Sequence, residues 1–309
     1  MADAHNTSEF LAAGTDLMER RRSGIARGPL TVLRATGDAA GIGWQADGSA
    51  IVGAGVTIAA RASDTTIASA YPGLAAAAAG LATPQIRNVA TLGGNLAQRT
   101  RCWYFRNPHF ACLKKGGTNC PARDGNHLYG VIFDTGPCVA PHPSTMGAAL
   151  LAYDATVTTT VRAAVPVAQI LGDGRDGTRD HTLADGEAIT SIILPVPVAG
   201  ERAAYDRCTS RAHAEWPLVE ALVRIVADGN RIRLARVSVG GVAPVPQRLG
   251  AVERALEGKT MDAATIETAA RAAAAGTKPL RDTGYKVALL EVLVGDLLGR
   301  ACGVVASDH

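Results

Sequence analysis

Four of the six cysteines of this 309-residue chain, Cys102, Cys112, Cys120 and Cys138, fall within one window of 37 residues, and that window is built like a loop. It contains Lys114-Lys115-Gly116-Gly117-Thr118-Asn119, then Pro121, then Asp124-Gly125-Asn126. Such a composition supplies turns and solvated side chains and is wrong for four core thiols. The thiols are separated by nine, seven and seventeen residues, so the close Cys-x2-Cys knuckles of structural zinc are missing. Disulfides would require an oxidising compartment, and two of them in a Gly-rich loop would add little to a chain long enough to bury a large core. A [4Fe-4S] cluster needs four thiolates converging from loops and makes no demand for regular spacing. Unrelated buried thiols are the remaining alternative. The stretch is also basic: Arg99, Arg101, Arg106, Lys114, Lys115 and Arg123 face only Asp124 within residues 99–127. Cations stabilise an anionic cluster and favour its reduced form. On a bare loop they would be a solvated or subunit-facing surface.

The length suffices for two domains of about 150 residues each. With 47% apolar and 19% charged residues the chain is not disordered, and its charge content is low enough to suggest a subunit whose surface is partly covered. A net charge of +3 and 4% aromatics make nucleic acid a poor partner. The Ala75–Ala79 run is broken by Pro72, Gly73 and Gly80, and the apolar stretch Leu289–Leu298 carries Glu291 and Asp296, so no membrane span is expected. Met1–Phe10 lacks a cationic start followed by an apolar run. A cytoplasmic location follows, or a periplasmic one by co-export with a partner.

Strands are predicted at Leu30–Leu33, Gly43–Gln45 and Ile51–Ile58, the last two joined by an Asp47-Gly48 turn. Gly41-Ile-Gly43-Trp-Gln-Ala46 spells a dinucleotide fingerprint, but it lies in this hairpin pattern and lacks the helix N-terminus that holds a pyrophosphate. Helices are expected from Thr57 through Ala62, at Pro72–Leu81 and at Met146–Leu151. A strand at Thr156–Val161, a polar turn at Asp173–Asp180 and a strand at Ile189–Pro195 complete the first unit. A fresh pattern begins near Arg202, with strands at Ala221–Val226 and Ile232–Val239 around an Asp228-Gly229-Asn230 turn. Helices follow at Arg248–Leu256, Asp262–Ala274 and Tyr285–Leu298. The class is α+β, with a domain over 1–198 and a smaller one over 199–309.

Two segments combine backbone freedom with small polar side chains: Ala12-Ala13-Gly14-Thr15-Asp16, and Thr91-Leu92-Gly93-Gly94-Asn95 after Pro84-Gln85-Ile86-Arg87-Asn88. Adjacent glycines let backbone N–H groups converge on an anion, because no Cβ blocks the approach and positive φ is free. Flanking Thr, Asn and Asp supply directional bonds to pyrophosphate, ribityl or ribose oxygens. Each alone is an ordinary turn; together they point to a dinucleotide site that is not of the Rossmann type.

These segments resemble the FAD-binding medium subunits of the molybdenum hydroxylases, the group of xanthine dehydrogenase and carbon monoxide dehydrogenase. Gly240-Gly-Val-Ala-Pro-Val-Pro246, Leu256-Glu-Gly-Lys259 and Tyr285-Lys-Val287 resemble that subunit's C-terminal domain. The resemblance implies an FAD-binding domain of the vanillyl-alcohol-oxidase-like (PCMH) type followed by a C-terminal domain of the CO dehydrogenase flavoprotein type. It places Ala12, Ala13, Gly14, Thr15, Asp16, Thr91, Gly93, Gly94 and Asn95 on the FAD pyrophosphate and ribityl chain, with Thr145 and Arg207 also at the cofactor. Three positions depart from the family pattern. Ala13 stands where a glycine is usual, Thr145 replaces the Asp of a Pro-Ser-Asp element, and Arg207 replaces a Lys near the flavin pyrimidine edge. Arg keeps the charge but not the point geometry.

Most medium subunits run directly from the Gly-Gly-Asn segment to the Pro-Ser element, whereas this chain inserts roughly forty residues at about 99–140. The insertion, with Arg99-Thr-Arg-Cys102, Tyr104-Phe-Arg106 and Cys138 before His142-Pro-Ser144, resembles that of the FAD and iron-sulfur subunit of periplasmic aldehyde oxidoreductase. 4-Hydroxybenzoyl-CoA reductase carries a comparable one. By that resemblance Cys102, Cys112, Cys120 and Cys138 hold a [4Fe-4S] cluster, while Cys208 and Cys302 are structural thiols. The implied role is electron transfer within a molybdenum-dependent aldehyde oxidoreductase. A large partner subunit would carry the molybdenum cofactor and a small one two [2Fe-2S] clusters. A 4-hydroxybenzoyl-CoA reductase type subunit, or a scaffold with impaired FAD binding, are the alternatives. No Ser-His-Asp set or paired acids for substrate chemistry are present, and no catalytic residue is assigned.

Overall fold

Two groups of β-branched and aliphatic runs, separated at about residue 198, build two separate sheets. The computed structural model describes residues 9–304 apart from 36 and 213; most of the Met1–Phe10 segment read for an export signal lies outside the described residues. Strand β1 (Glu9–Leu11) pairs in parallel with β2 (Leu30–Val32). Strands β3 (Ile42–Trp44), β4 (Ala50–Gly53), β5 (Thr156–Thr159), β6 (Val165–Pro166) and β7 (Ile189–Leu194) form an antiparallel sheet of order β3-β4-β7-β5-β6. Strands β8 (Arg202–Cys208), β9 (Val219–Asp228), β10 (Arg231–Gly240) and β11 (Gln247–Arg248) form a second antiparallel sheet, β11-β10-β9-β8.

Helices Pro72–Gly80 and Thr145–Ala152 share the first sheet's core through Leu74, Ala77, Leu150 and Ile192 and also lie against strands of the second sheet. Helices Gly250–Leu256, Ala263–Ala272 and Tyr285–Cys302 cover the second through Val223, Val237 and Leu297. The two cores join without a solvent gap. Tyr205 and Leu222 of the second sheet belong to the first core. Beneath them the Tyr153 hydroxyl accepts from Gly73 N at 2.9 Å, and the Arg224 guanidinium lies 3.8 Å from the Tyr153 ring centroid while pairing with Glu201 at 2.6 Å.

The expected α+β class and the helix capped by Thr57 are seen, as are the Pro72 helix and the three C-terminal helices. Three local readings change. The strand read over Ile51–Ile58 ends at Gly53, because Ala54 N turns to Thr190 O and Thr57 Oγ1 caps helix Ile58–Ser63. Strand β8 was not anticipated: its mixed sequence, RAAYDRC, suits an edge strand covered on one side. Thr91–Asn95 is not an open turn. Thr91 Oγ1 accepts from Gly94 N at 3.1 Å and starts the short helix Leu92–Leu96, and neither glycine takes positive φ. What Gly93 provides is close approach, since an added Cβ would lie 2.9 Å from Ala54 Cβ and 3.3 Å from Ala54 O. In the first segment positive φ is taken by Gly14 (+77°), while Ala13 is exposed and outside the positive-φ residues. The alanine is therefore unstrained.

Gly93→Ala should cost about 1–3 kcal/mol in urea unfolding by overpacking against Ala54, and Ala13→Gly less than about 1 kcal/mol. Equal effects would contradict this packing account.

Candidate functional site

Asp16 ties the first glycine segment to Arg99, four residues past the second, and Asn95 ties the second to the start of helix Thr145–Ala152. Asp16 is a hub. It accepts from Arg20 Nε (3.1 Å), Arg106 Nη2 (2.5 Å) and the backbone N of Arg99 (3.2 Å), and Arg101 Nη2 lies 3.1 Å away. Burial alone would raise its carboxyl; the guanidinium groups of Arg101, Arg106 and Arg20 outweigh that and hold it below its ordinary value. Asn95 Oδ1 accepts from Ser144 Oγ (2.8 Å) and Met146 N (3.2 Å), while Ser144 Oγ accepts from Gly147 N (2.8 Å). The Gly-Gly-Asn segment thereby fixes the start of helix Thr145–Ala152.

Thr145 does not stand alone where the family carries an acid. Its hydroxyl donates to Glu220 Oε2 at 2.8 Å, as does the Tyr205 hydroxyl. Glu220 was missed in the sequence, although it left a signal: a lone acid inside the continuously buried run Val219–Val226 of β9. Burial raises its carboxyl, and its Oε1 has no partner. Arg207, opposite Glu220 in the β8–β9 register, likewise has a buried Nη2 without a partner. Ala13, Thr15 and Gly94 of the two glycine segments are exposed small residues. That combination fits a polar cofactor edge, which would satisfy atoms the protein leaves unpaired.

The insertion begins at Arg99, and it is stapled down by acids from elsewhere. Arg99 (2.5 Å) and Lys114 (2.9 Å) pair with Asp180, whose side chain is 2% exposed. Burial would raise the Asp180 carboxyl; Lys114 and Arg99 overcome it and hold it far below the ordinary range. Arg101 and Arg106 pair with Asp16 and Glu19, and Arg123 pairs with Asp134. This corrects the reading of a broadly cationic shell. Of the six cations only Lys115 lacks an acidic partner among the described residues, and it donates to the carbonyls of Tyr104 (2.9 Å) and Asn107 (2.5 Å) beside Cys112. Later in the insertion Ile132 and Phe133 enter the second core, with both backbone N–H groups donating to Val242 O at 2.8 and 3.0 Å.

All six cysteines are free thiols. Cys102, Cys112 and Cys120 lie within electrostatic reach of one another, and Cys120 shares a thiol hydrogen bond with Cys138. Their contact lowers the Cys120 thiol and raises that of Cys138. Backbone N–H groups also address every one of these sulfurs: Phe105 and Tyr104 at Cys102, Lys114 and Lys115 at Cys112, Val139, Ala122 and Arg123 at Cys120, and Ala140 at Cys138. Burial is the leading influence at Cys208 and Cys302, with one charged neighbour each, Asp206 and Arg202. Among the described residues no three His, Cys, Asp or Glu side chains converge as ligands of one ion. A cubane makes a different demand, one thiolate on each of four irons, and the N–H donors suit anionic sulfur.

Residues 1–197 match the FAD binding domain in molybdopterin dehydrogenase, and residues 203–303 match the CO dehydrogenase flavoprotein C-terminal domain. The chain belongs to the FAD-binding medium subunits of the molybdenum hydroxylases. It is 31% identical over 261 residues to the aldehyde oxidoreductase FAD-binding subunit PaoB of Escherichia coli K12, covering 81% of this chain and 79% of that one. It is 36% identical over 109 residues to the xanthine dehydrogenase FAD-binding subunit of E. coli O157:H7, 31% of this chain and 35% of that one. Its fold matches carbon monoxide dehydrogenase from Hydrogenophaga pseudoflava with TM-score 0.75 at 22% identity, covering 97% and 91% of the two chains. Quinoline 2-oxidoreductase from Pseudomonas putida 86 gives 0.74 at 22% identity with the same coverage. This medium subunit is thus an oxidoreductase subunit, and no helix among its described residues is long and apolar enough to cross a membrane.

Asp180→Asn should cost this subunit about 3–5 kcal/mol, because Arg99 and Lys114 lose their buried counter-charge; proteolysis of residues 99–138 should accelerate with it. A pH effect is also expected. His142 is 2% exposed, and burial lowers it from 6.5 to about 4. The unfolded chain then binds the extra proton between those values, so stability falls as pH drops from 6.5 to 4, by up to about 3 kcal/mol. His181, also lowered to about 4 by burial, acts in the same sense. His142→Gln should remove its share of the slope in urea unfolding; an unchanged slope would contradict the assignment.

Proposed function

We propose that this chain is the electron-transfer subunit of a molybdenum-dependent aldehyde oxidoreductase, holding one FAD and one [4Fe-4S] cluster. A large molybdenum-cofactor subunit and a small subunit with two [2Fe-2S] clusters are its partners. The observation that carries the cluster is the contrast among cysteines: all four sulfurs of the insertion have backbone N–H donors, and Cys208 and Cys302 have none among the described influences on them. In support of the FAD reading, the Asp16 carboxylate ties the first glycine segment to Arg99 N at 3.2 Å, four residues past Asn95.

When bound, FAD and the cluster supply one- and two-electron redox chemistry. The protein's part is to hold and tune them. Ala12, Ala13, Gly14, Thr15 and Thr91 would offer backbone groups and small side chains to the pyrophosphate and ribityl chain, while the N–H groups of Gly93 and Gly94 are taken by Ala54 O and Thr91 Oγ1, so these glycines contribute close packing behind that edge. Asp16 contributes indirectly, since its carboxylate is committed to three arginines and orients the loop. Asn95 fixes the start of helix Thr145–Ala152. Arg207 would lie near the pyrimidine edge, and Thr145 would act at the cofactor through Glu220, which supplies the carboxylate that position 145 lacks. Cys102, Cys112, Cys120 and Cys138 would hold the irons, and the N–H groups around them would favour the reduced cluster.

The cluster is dispensable for electrons reaching FAD, because cluster-free members of the family already make that transfer. In the purified complex Cys120→Ser should lose iron and acid-labile sulfide, keep its FAD and still show flavin bleaching on adding aldehyde. Cys208→Ser should lose nothing. Equal iron in both variants would overturn the ligand assignment, and a Cys120→Ser complex with full FAD but no bleaching would make the cluster an obligatory relay.

A further inference from the structure

A second concave feature lies away from the residues assigned to FAD. The opening of the insertion (Arg101, Cys102, Trp103), its later part (Tyr129) and the connection between β8 and β9 (Trp216, Leu218) enclose a half-open cavity of about 320 Å³. None of Ala12–Asp16, Thr91–Asn95, Thr145 or Arg207 lines it. Its walls are rich in a residue type the chain uses sparingly. Aromatics are 4% of the sequence, yet two of the three tryptophans and Tyr129 meet here, with exposures of 44–46%. The Trp103 and Tyr129 rings are 5.6 Å apart and tilted by 55°, and the Arg101 guanidinium sits 4.4 Å from the Trp216 ring centroid. Exposed ring faces held in place by such contacts favour a flat apolar ligand.

The polar character of the cleft is equally selective. Arg101 Nη1 donates to Glu19 and Nη2 to Gln98, with Asp16 3.1 Å from Nη2. Its Nε–H is shielded from water and has no partner. A donor left unpaired rewards a ligand that brings an acceptor oxygen. Cys102 stands in the same wall, so a bound molecule lies against a proposed ligand of the cluster.

We propose that this cleft binds a one- or two-ring quinone and is one exit for electrons, separate from FAD. The volume sits at the small end of ligand pockets, roughly 300–1,000 Å³, which suits a bicyclic ring and excludes a complete nicotinamide dinucleotide. A quinone offers a flat face to the tryptophans and a carbonyl oxygen to Arg101. Its reduction balances: two electrons and two protons from water at the open mouth convert both C=O groups to C–OH, and a cluster held by Cys102 in the wall would be placed to supply the electrons. Two electrons and two protons are released when an aldehyde and water become a carboxylic acid on the partner subunit. The electron route rests on the cluster reading above; the binding site does not.

The probe is menadione, titrated into the purified complex by calorimetry and by quenching of tryptophan fluorescence. Saturable binding is expected, weakened at least tenfold in Trp216→Leu and in Trp103→Leu. Aldehyde-driven menadione reduction should fall with it, while FAD content, iron content and ferricyanide reduction stay unchanged. Absence of saturable binding to an iron- and flavin-replete complex, binding unaltered in both variants, or displacement of menadione by NAD would overturn the inference. A complex without iron would refute the cluster and leave the calorimetry interpretable.

Discussion

Two carboxylates hold the extra lobe of this medium subunit to the flavoprotein frame. Asp16 gathers Arg20, Arg101 and Arg106, and Asp180 gathers Arg99 and Lys114. Both are buried enough that burial alone would favour protonation, and both are nevertheless held below the ordinary carboxylate range by adjacent cations. Such networks are costly to break, because removing one partner strands the others out of water. Their consequence is positional. The chain leaves the Gly-Gly-Asn helix at Arg99 already tied to the first glycine segment, and Cys102 follows within three residues.

The other end of the insertion is held differently, by backbone pairing and apolar burial. Ile132 and Phe133 sit in the second core and bond to Val242, while Lys278 N donates to Ile132 O at 2.7 Å. Buried Lys286 adds bonds to Tyr129 O at 3.1 Å and Gly241 O at 2.9 Å. A loop clamped at both ends pays its ordering entropy on folding, so its thiols need not be gathered by the cofactor. Preorganised sulfurs with N–H donors suit a metal centre whose potential depends on such bonds.

The hairpins and the C-terminal helices were legible because hydrophobic period and turn residues state them directly. Asp47-Gly48 and Asp228-Gly229-Asn230 mark reversals no other element can use. The Gly41-Ile-Gly43 segment was rightly placed in a hairpin, where Ile42 pairs with Val52. The role of the Gly93-Gly94 pair was misread, because a helix packed against Ala54 and an open anion-binding turn make the same demand for a missing Cβ. The cations of the insertion were visible, but not their partners: Asp16 and Asp180 lie 66 to 90 positions from the cations they bind, and nothing local in Asp173–Asp180 distinguishes an anchoring acid from a solvated turn. Glu220 left a trace only as a charge out of place in an apolar strand, and its contact with Thr145 depends on how two domains pack.

The most direct measurement of the central claim is iron and acid-labile sulfide in the chain purified anaerobically, followed by electron paramagnetic resonance after dithionite reduction. About four of each per chain and a spin-half signal are expected. A chain with bound FAD, intact fold and neither iron nor sulfide would contradict it.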